Sequence, residues 1–170
     1  MTSKRSKVKT VYSNQWFAVV EQDKYFSIKE NDYVVFLIHN QDRFLFVSEY
    51  RHAYQQKIPN IPCGSIENNE TSESCLKREL QEEILSFVDK SELIRLSSPK
   101  LLASSIISPN RYFAKIFIYS IQSGSQFSIS RDHSWLSLRD YQQLTSLDSL
   151  PLPTVLAIAC FALLSQNNHD

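Results

Sequence analysis

Two neighbouring apolar segments place the strongest constraint on how this chain can fold. Residues 33–39 form a continuous apolar run that ends in His39, and residues 43–50 carry successive bulky apolar side chains with little polar relief. Segments of this kind, rich in aromatic and β-branched residues, fit strands that are buried on both faces. The segment Asn40-Gln41-Asp42 between them is typical of a hairpin turn. The sequence therefore predicts a sheet with a core on each side.

The order of the remaining elements predicts an α+β fold. Residues 55–63 contain Pro59 and Pro62 and are expected to be irregular or an edge strand. Further strands are predicted at 8–12, 16–21, 25–28, 93–96, 101–107, 112–121 and 134–136, and helices at 71–85, 138–144 and 153–165. Strands, a helix, more strands and then helices indicate an α/β/α sandwich around a mixed sheet.

Length and charge favour one soluble domain that does not bind nucleic acid or a membrane surface. The 170 residues fit a basic tail over 1–9 and a single domain over 10–170. Lys plus Arg and Asp plus Glu number 18 each, and this balance argues against binding to nucleic acid or to an anionic membrane. The longest apolar run, 155–164, has about half the length that spans a bilayer.

The cysteines and the N-terminus predict a cytoplasmic protein. Three cysteines, an odd number without a CxxC spacing, make a disulfide framework or a zinc site improbable. No apolar stretch follows the basic N-terminus, so a secretory signal is not expected.

The helix predicted over 71–85 carries an unusual cluster of carboxylates. Thr71 is placed to cap it, and Glu79, Glu82 and Glu83 stand at i, i+3 and i+4, on one face of a regular α-helix. Like charges at this spacing destabilise an isolated helix by about 0.2–0.5 kcal/mol per pair. A hard cation relieves that repulsion, and Mg²⁺ prefers oxygen ligands and phosphate-bearing partners. The cluster alone also fits an ordinary solvated acidic face.

The surrounding spacing is more specific than the cluster. Six fixed residues and one aliphatic residue follow the order Gly64-x5-Glu70-x7-Arg78-Glu79-Leu80-x-Glu82-Glu83. At average residue usage, a chance match in a chain of this length is on the order of one in a million. The pattern resembles the Nudix box, the signature of hydrolases of nucleoside diphosphates linked to another moiety.

The resemblance implies a fold and a role for each residue of the box. It implies a mixed sheet on which the box packs as a loop, a helix and a loop. Glu79, Glu82 and Glu83 match carboxylates that bind Mg²⁺ or Mn²⁺. The other matches are a charged pair made by Arg78 and Glu70, in which Glu70 is a further metal ligand, a close backbone approach at Gly64, an aliphatic position at Leu80 and a metal-binding carbonyl at Cys63.

The box departs from the family pattern at its end. Leu85 and Ser86 stand where the family has glycine followed by an aliphatic residue. That glycine lets the chain leave the helix through a positive φ, which leucine adopts only at a cost. We expect a helix that runs on or ends differently, with the metal ligands upstream unaffected.

Segments outside the box resemble the ADP-ribose and nucleotide-sugar pyrophosphatase branch. Residues 48–53 are similar to its "QYR" stretch, which implies that Arg51 faces a substrate phosphate and that Tyr50 and His52 are substrate-binding candidates. Residues 12–17 resemble the start of an N-terminal sheet that builds a homodimer in relatives. Trp16 is interpreted as a core or dimer contact, although adenine can stack on an aromatic in this family. Residues 108–110 resemble an "SPG" loop, without the glutamate that usually follows.

The general base stays open at this point. The branch often takes it from an acidic loop before the C-terminal helices, and the corresponding segment here offers Asp132 and His133. Either group accepts a proton near neutral pH if it is suitably placed. Glu79 or another glutamate of the box is the alternative.

Two classes of function remain after the sequence is read. The resemblance favours Mg²⁺-dependent hydrolysis of the pyrophosphate bond in a nucleoside diphosphate linked to a sugar or other moiety, with ADP-ribose or an ADP-sugar preferred. A nucleoside triphosphate or a dinucleoside polyphosphate is the alternative within the enzyme class. Outside that class, the altered box end favours a non-catalytic module that binds a nucleotide or a protein.

Overall fold

A computed structural model describes residues 7–52, 54–88, 94–106, 113–129, 132–144 and 152–166. Its strands are β1 Lys9–Ser13, β2 Phe17–Gln22, β3 Tyr25–Glu30, β4 Tyr33–Asn40, β5 Arg43–Arg51, β6 Gln56–Asn60, β7 Cys63–Ser65, β8 Lys100–Ile106, β9 Lys115–Gln122 and β10 His133–Ser137. Its α-helices are α1 Ser72–Glu79, α2 Leu138–Leu144 and α3 Leu152–Gln166. Residues 1–6 of the predicted tail and the predicted loop 108–110 lie outside the described residues.

The larger sheet is mixed and has seven strands. Its path runs β10-β5-β4-β9-β8, with β6 paired to β5 and β7 paired to β4. Strands β4 and β9 are parallel, whereas the other pairs are antiparallel. Strand β6 carries Pro59, in agreement with the edge character expected from a strand that contains proline.

Strand β4 separates two cores, as its uniform apolarity predicts. Val34, Phe36 and Ile38 pack on one face with residues of α1, and Val35 and Leu37 pack on the other with residues of α2 and α3. All five are fully buried. The α+β fold class, an α/β/α sandwich, is therefore confirmed. A separate antiparallel sheet, β1-β2-β3, precedes this sandwich along the chain.

Helix α1 begins where the sequence predicts and changes form before the predicted end. Thr71 caps it, because its side-chain oxygen accepts from the backbone N–H of Ser74 at 3.2 Å. From Leu80 to Ile84 the helix widens into a π turn, and Leu85–Phe87 form a 3₁₀ turn before Val88 becomes extended. Leu85 keeps a right-handed φ of −65°, so the chain leaves without the left-handed residue that a glycine supplies.

This ending corrects one expectation. The helix does end differently, but the change reaches upstream, because Glu82 and Glu83 lie inside the π turn. The regular 3.6-residue periodicity assumed for the three carboxylates therefore holds only up to Glu79. None of the helices among the described residues has the length and apolarity needed to cross a lipid bilayer.

Candidate active site

A cavity of about 410 Å³ lies between β5, the end of the box helix and β10. Its wall is acidic: the carboxylate residues that line it are Glu49, Glu79, Glu82, Glu83 and Asp132. His133 and Phe87 complete one side, with their ring centroids 5.7 Å apart. The structure therefore brings the three predicted metal-binding glutamates to a single cavity, together with both candidate bases.

Gly64 is required for space at this cavity. A Cβ at position 64 would lie 1.9 Å from Cδ of Glu79, and its φ is not positive. The side chain of Glu79, 11% exposed, lies directly over the glycine backbone. Any larger residue at position 64 would displace Glu79, which explains why this glycine-poor chain places a glycine here.

Arg78 organises the carboxylates around it. Its Nη1 donates to Glu79 at 2.6 Å and to Glu82 at 3.2 Å. Its Nε and Nη2 donate to the two oxygens of Glu70, each at 3.1 Å, and Nη2 also donates to the carbonyl of Ser65 at 3.0 Å. The guanidinium thus joins the loop before the helix to the helix itself, the use to which its planar fork is suited.

Glu70 lies on Arg78 with both oxygens engaged. Its Oε2 also accepts from the backbone N–H of Glu67 at 3.0 Å. The hydrogen bonds from Arg78 hold the pKa of Glu70 below its usual range. This placement agrees with the charged pair that the resemblance implies. Three of the roughly four acceptor positions of Glu70 are thus occupied, and metal ligation by Glu70 stays a prediction.

Glu83 is the most deeply desolvated carboxylate of the cavity. Burial, followed by the charges of Glu79 and Glu49, raises its pKa to about 8. Its Oε2 is buried and has no hydrogen-bond partner. Burial likewise raises the pKa of Glu79. A buried carboxylate oxygen without a partner is costly unless a cation or a proton neutralises it.

The strand β5 carries the predicted substrate-binding residues at its end. Arg51 pairs with Glu49 at 2.5 Å, and alternation along the strand puts both on the cavity side. Tyr50 points to the opposite face and is 51% exposed. His52 follows in the turn and contacts Tyr50 edge-on, with ring centroids 5.1 Å apart. Arg51 is thus near the cavity, whereas Tyr50 and His52 lie on the far side of the strand.

The candidate bases are both engaged. Asp132 forms a close ion pair with Lys57, and hydrogen bonding to Lys57 lowers the pKa of Asp132. The Nε2 of His133 lies 2.8 Å from the backbone carbonyl of Glu83. A carbonyl only accepts, so the histidine nitrogen is the donor. A carboxylate neutralised by lysine is a weaker proton acceptor than a free one.

Cys63 lies behind the cavity. Burial raises the pKa of its thiol to about 12, and its backbone forms a hydrogen bond with Glu83. Asn60 contacts its Sγ at 3.9 Å. On the other flank, Leu80 packs against the core on the α1 side. The thiol is thus an inert buried group, and the backbone of Cys63 is the part that meets the carboxylates.

A second cavity of about 480 Å³ shares Glu79 with the first and is also lined by Arg78. It lies between the N-terminal sheet and the box loop, and its aromatic residues are Trp16, Phe17 and Tyr33. Trp16 is 73% exposed, so the expectation of a core contact is wrong for this residue. Its side chain is placed instead at the rim of a groove that leads to the carboxylates.

The donor set fits a hard divalent cation in its chemistry. The cavity offers carboxylate oxygens, and Glu83 Oε2 is a buried oxygen that lacks a partner. Within the described part of the chain, no three His, Cys, Asp or Glu side chains already converge as a metal site. The ion pairs account for this, since Arg78 holds both Glu79 and Glu82.

Sequence reasoning missed Glu49, Phe87 and Lys57. Glu49 lines the cavity and contributes to the raised pKa of Glu83. The available signal was its position two residues before Arg51, which places both side chains on one face of a strand. Lys57 and Asp132 lie 75 positions apart in the sequence, so no local sequence pattern predicts their contact.

Comparison with known proteins decides the family. The NUDIX domain model matches residues 29–152, which is more than half of the chain. The chain belongs to the Nudix family. The expectation of a Nudix hydrolase with the α+β Nudix fold is confirmed.

Similarity to solved structures supports the same fold. The crystal structure of an ADP compounds hydrolase is similar to this Nudix chain with a TM-score of 0.66 and 16% sequence identity. The match covers 96% of this chain and 94% of that protein. A search of curated proteins gives no significant match.

Proposed function

We propose that this Nudix protein hydrolyses the pyrophosphate bond of a nucleoside diphosphate linked to a sugar, with ADP-ribose or an ADP-sugar preferred. The observation that carries the proposal is the acidic cavity, in which Glu79, Glu82 and Glu83 meet Glu49 and one buried oxygen has no partner. Such a cavity repels a polyphosphate unless a cation accompanies it. Mg²⁺, with Mn²⁺ as a substitute, is the cation that fits oxygen donors and phosphate.

The four glutamates would hold the cation, and the backbone of Cys63 lies next to Glu83. A divalent cation in this position supplies Lewis-acid polarisation of the phosphoryl oxygens. Arg78 keeps Glu79 and Glu82 oriented before the ligand arrives. Asp132 and His133 face the cavity as candidate proton acceptors, and the box glutamates remain the alternative.

Arg51 is proposed to bind the substrate phosphate. Its guanidinium forms an ion pair with Glu49, and both side chains are more than a third exposed. An exposed pair of this kind is worth about 0–1 kcal/mol, so a phosphate can displace the carboxylate at little cost. When a phosphate takes the place of Glu49 on Arg51, the carboxylate of Glu49 is released and can turn toward the cation.

The second cavity supplies a place for the nucleoside. Glu79 lines both cavities, so a pyrophosphate held at the carboxylates would lead its base toward Trp16. The exposed indole offers a flat surface on which a base can stack. The similar solved structure is described as an ADP compounds hydrolase, which favours adenine as that base.

A hydrolysis screen tests the proposed function. ADP-ribose, ADP- and GDP-sugars, dinucleoside polyphosphates and nucleoside triphosphates are each incubated with the protein in Mg²⁺ and in Mn²⁺. Glu79→Gln is expected to lose activity, while Glu73→Gln, on the same helix and outside the cavity, keeps it. Absence of turnover on every compound by the wild-type protein would refute the proposal and would favour a binding module.

We also propose a homodimer that forms through the N-terminal sheet. Large apolar side chains there are more than half exposed in the single chain: Val8, Val11, Tyr12, Trp16, Tyr25 and Phe26. An apolar surface of this kind on a folded protein is typical of an interaction site. Light scattering after size exclusion is expected to give about twice 19.7 kDa, and Tyr25→Ser with Phe26→Ser is expected to shift the mass to one chain. A monomeric wild-type protein would contradict this.

A cytoplasmic location is proposed on the cysteine chemistry. Cys63, Cys75 and Cys160 are all free thiols. Unpaired buried thiols are typical of a reducing compartment. Fractionation of cells that express the protein tests the location, and recovery from an oxidising compartment would contradict it.

A further inference from the structure

The end of the box helix lacks the glycine of the family pattern, and Leu85 occupies that position. Leu80–Ile84 form a π turn, and Leu85 takes a right-handed conformation where glycine would turn the chain out. A π turn is rare and occurs mostly as a single turn inside an α-helix, often at a functional site, so a contact outside the helix is needed to explain why it persists here. The contacts of the turn with the rest of the molecule therefore decide where Glu82 and Glu83 point.

His133 makes such a contact. It lies on β10, and its Nε2 donates to the backbone carbonyl of Glu83 at 2.8 Å. Its ring also faces that of Phe87, in the 3₁₀ turn, with centroids 5.7 Å apart. One side chain thus touches the π turn and the turn that follows it. The carbonyls of the last helical turn are those that need partners from outside the helix.

His133 is anchored in the seven-stranded sheet. His133 is paired with Val47 in the antiparallel ladder of β10 with β5, which extends over five residue pairs. The backbone N–H of Ser48 donates to the carbonyl of Asp132 at 2.6 Å. Val47 and Ser48 also line the acidic cavity. The histidine therefore fixes the helix end relative to the same strand that presents Glu49.

The turn needs this restraint because of the charge it carries. Glu83 is repelled by Glu79 and by Glu49, and its Oε2 has no partner. Without a partner from outside the helix, the carbonyls of the last helical turn are open to competition from water, and the turn can fray. Fraying would let Glu83 move away from Glu79 and Glu49 and so relieve the repulsion.

We propose that His133 is a positioning residue, whose Nε2–H holds the carbonyl of Glu83 and so fixes the π turn that presents Glu82 and Glu83 to the cavity. In this chain His133 thus helps to end the helix, a role that a glycine has in the family pattern. The inference rests on the proposed function for its catalytic consequence. Its structural content, the restraint of residues 82–87, stands apart from any substrate.

Two matched variants test the proposal. Glutamine at position 133 can place an N–H near the same carbonyl, whereas methionine has a similar length and no donor. Mn²⁺ binding is measured by electron paramagnetic resonance in wild type, His133→Gln and His133→Met. We expect the Kd of His133→Met to rise about 10-fold or more, the loss typical of groups that orient metal ligands, and that of His133→Gln to stay within about threefold.

Kinetics separate positioning from proton transfer. With a hydrolysed substrate, His133→Met is expected to lower kcat at saturating substrate while KM for the substrate changes little, and His133→Gln restores kcat. A general base at position 133 predicts a different result, because both variants would lose kcat and both would bind Mn²⁺ as the wild type does. That result, or equal losses of Mn²⁺ affinity in the two variants, would overturn the proposal.

Two further measurements need no substrate and no metal. Amide exchange of residues 84–87 is expected to accelerate in His133→Met and to remain slow in His133→Gln. Nitrogen-15 shifts of the wild-type histidines, assigned with His133→Gln, are expected to show the Nε2–H tautomer. The Nδ1–H tautomer, or unchanged exchange in His133→Met, would overturn the proposal. A wild-type protein inactive on every substrate would refute the proposed function alone, since these two measurements still decide the positioning role.

Discussion

The two faces of the seven-stranded sheet treat buried polar groups differently. On the α1 face, Glu79 and Glu83 are desolvated, and one oxygen of Glu83 has no partner. On the α3 face, the hydroxyl of Thr154 is fully buried and satisfied: it accepts from the backbone N–H of Ile61 at 3.1 Å and forms a short hydrogen bond with Asn60. The buried carboxylates of the α1 face therefore destabilise the folded chain without a ligand, whereas the buried hydroxyl of the α3 face does not.

This difference in how the buried polar groups are satisfied indicates that the ligand-binding function lies on the α1 face. An unpaired buried carboxylate destabilises the folded chain unless a ligand compensates it. A satisfied buried hydroxyl contributes to stability and needs no ligand. Substitutions on the α1 face should therefore trade stability against activity, whereas substitutions on the α3 face should change stability alone.

The largest effect is expected from Glu83→Gln. Removal of the charge should lower hydrolysis by more than about 100-fold, beyond the loss typical of a group that only orients a ligand. The free energy of unfolding without metal should rise by about 1–3 kcal/mol near neutral pH, because Glu83, whose pKa burial raises to about 8, must either take up a proton or keep a charge without a partner when the chain folds. Activity assays and urea unfolding in EDTA give the two numbers.

The control for this substitution lies on the same helix. Glu73→Gln changes an exposed glutamate in the first turn, so hydrolysis should not change, and stability should fall slightly rather than rise, because backbone hydrogen bonding lowers the pKa of Glu73 and favours its charged form. Addition of Mn²⁺ should raise the melting temperature of the wild type and of Glu73→Gln, and that of Glu83→Gln much less. A variant Glu83→Gln that is less stable than the wild type and still active would remove the contrast between the two faces.

Gly64→Ala should affect both stability and activity. Its Cβ would overlap the side chain of Glu79 at 1.9 Å, so Glu79 must leave its place over the loop. Overpacking of this kind costs about 1–3 kcal/mol. Hydrolysis should fall as well, because the displaced carboxylate is also held by Arg78. Chemical unfolding and initial rates measure the two losses.

The chain offers a matched control for this glycine. A Cβ at Gly124 would lie 3.4 Å from Cβ of Arg95, an ordinary contact, so Gly124→Ala should stay within about 0.5 kcal/mol of the wild type. Equal losses at the two glycines would show that the crowding against Glu79 is not the cause.

Thr154→Val should destabilise the α3 face and leave the chemistry intact. Valine keeps the shape and removes the hydroxyl, so the backbone N–H of Ile61 and the amide oxygen of Asn60 lose their partner, at about 1–3 kcal/mol. Activity per folded molecule should change less than about threefold. The reverse exchange at the next position, Val155→Thr, should be nearly neutral because Val155 is 40% exposed.

The sequence predicts the features that depend on local pattern. Strands β4 and β5 follow from their unbroken apolarity, and the Thr71 cap follows from its residue type at the start of an apolar-periodic segment. Residues of the box were found because their spacing is fixed along a single loop and helix. Their arrangement in one cavity is a consequence of the same short segment.

Contacts between distant segments are what the sequence does not show. The π turn depends on how the helix ends and on His133, which is 50 residues away. Glu49 enters the site because β5 packs beneath the helix, and the hydrogen bonds of Arg78 to Glu70 and Ser65 require the loop to fold back. These features arise from the tertiary fold, so the expectation of a regular helical face for the carboxylates was wrong beyond Glu79.

The smallest expected effect is the pH response of His39, which probes the α3 face. Alternation along β4 places its ring on that side, 4.5 Å from the ring of Phe161. Burial lowers the pKa of His39 below 6.5, so the unfolded chain binds the proton more readily than the folded one. The stabilisation that neutral His39 contributes is fully present above the pKa that His39 has in the unfolded chain. It is lost as the pH falls through the lower pKa of His39 in the folded chain.

Urea unfolding in EDTA tests this pH response. Between pH 7 and pH 5 the free energy of unfolding should fall less in His39→Phe than in the wild type, and activity at pH 7 should be unchanged. Identical slopes would mean that this half-buried imidazole is hydrated well enough to charge freely, and that the α3 face tolerates charge more easily than the comparison with the α1 face implies.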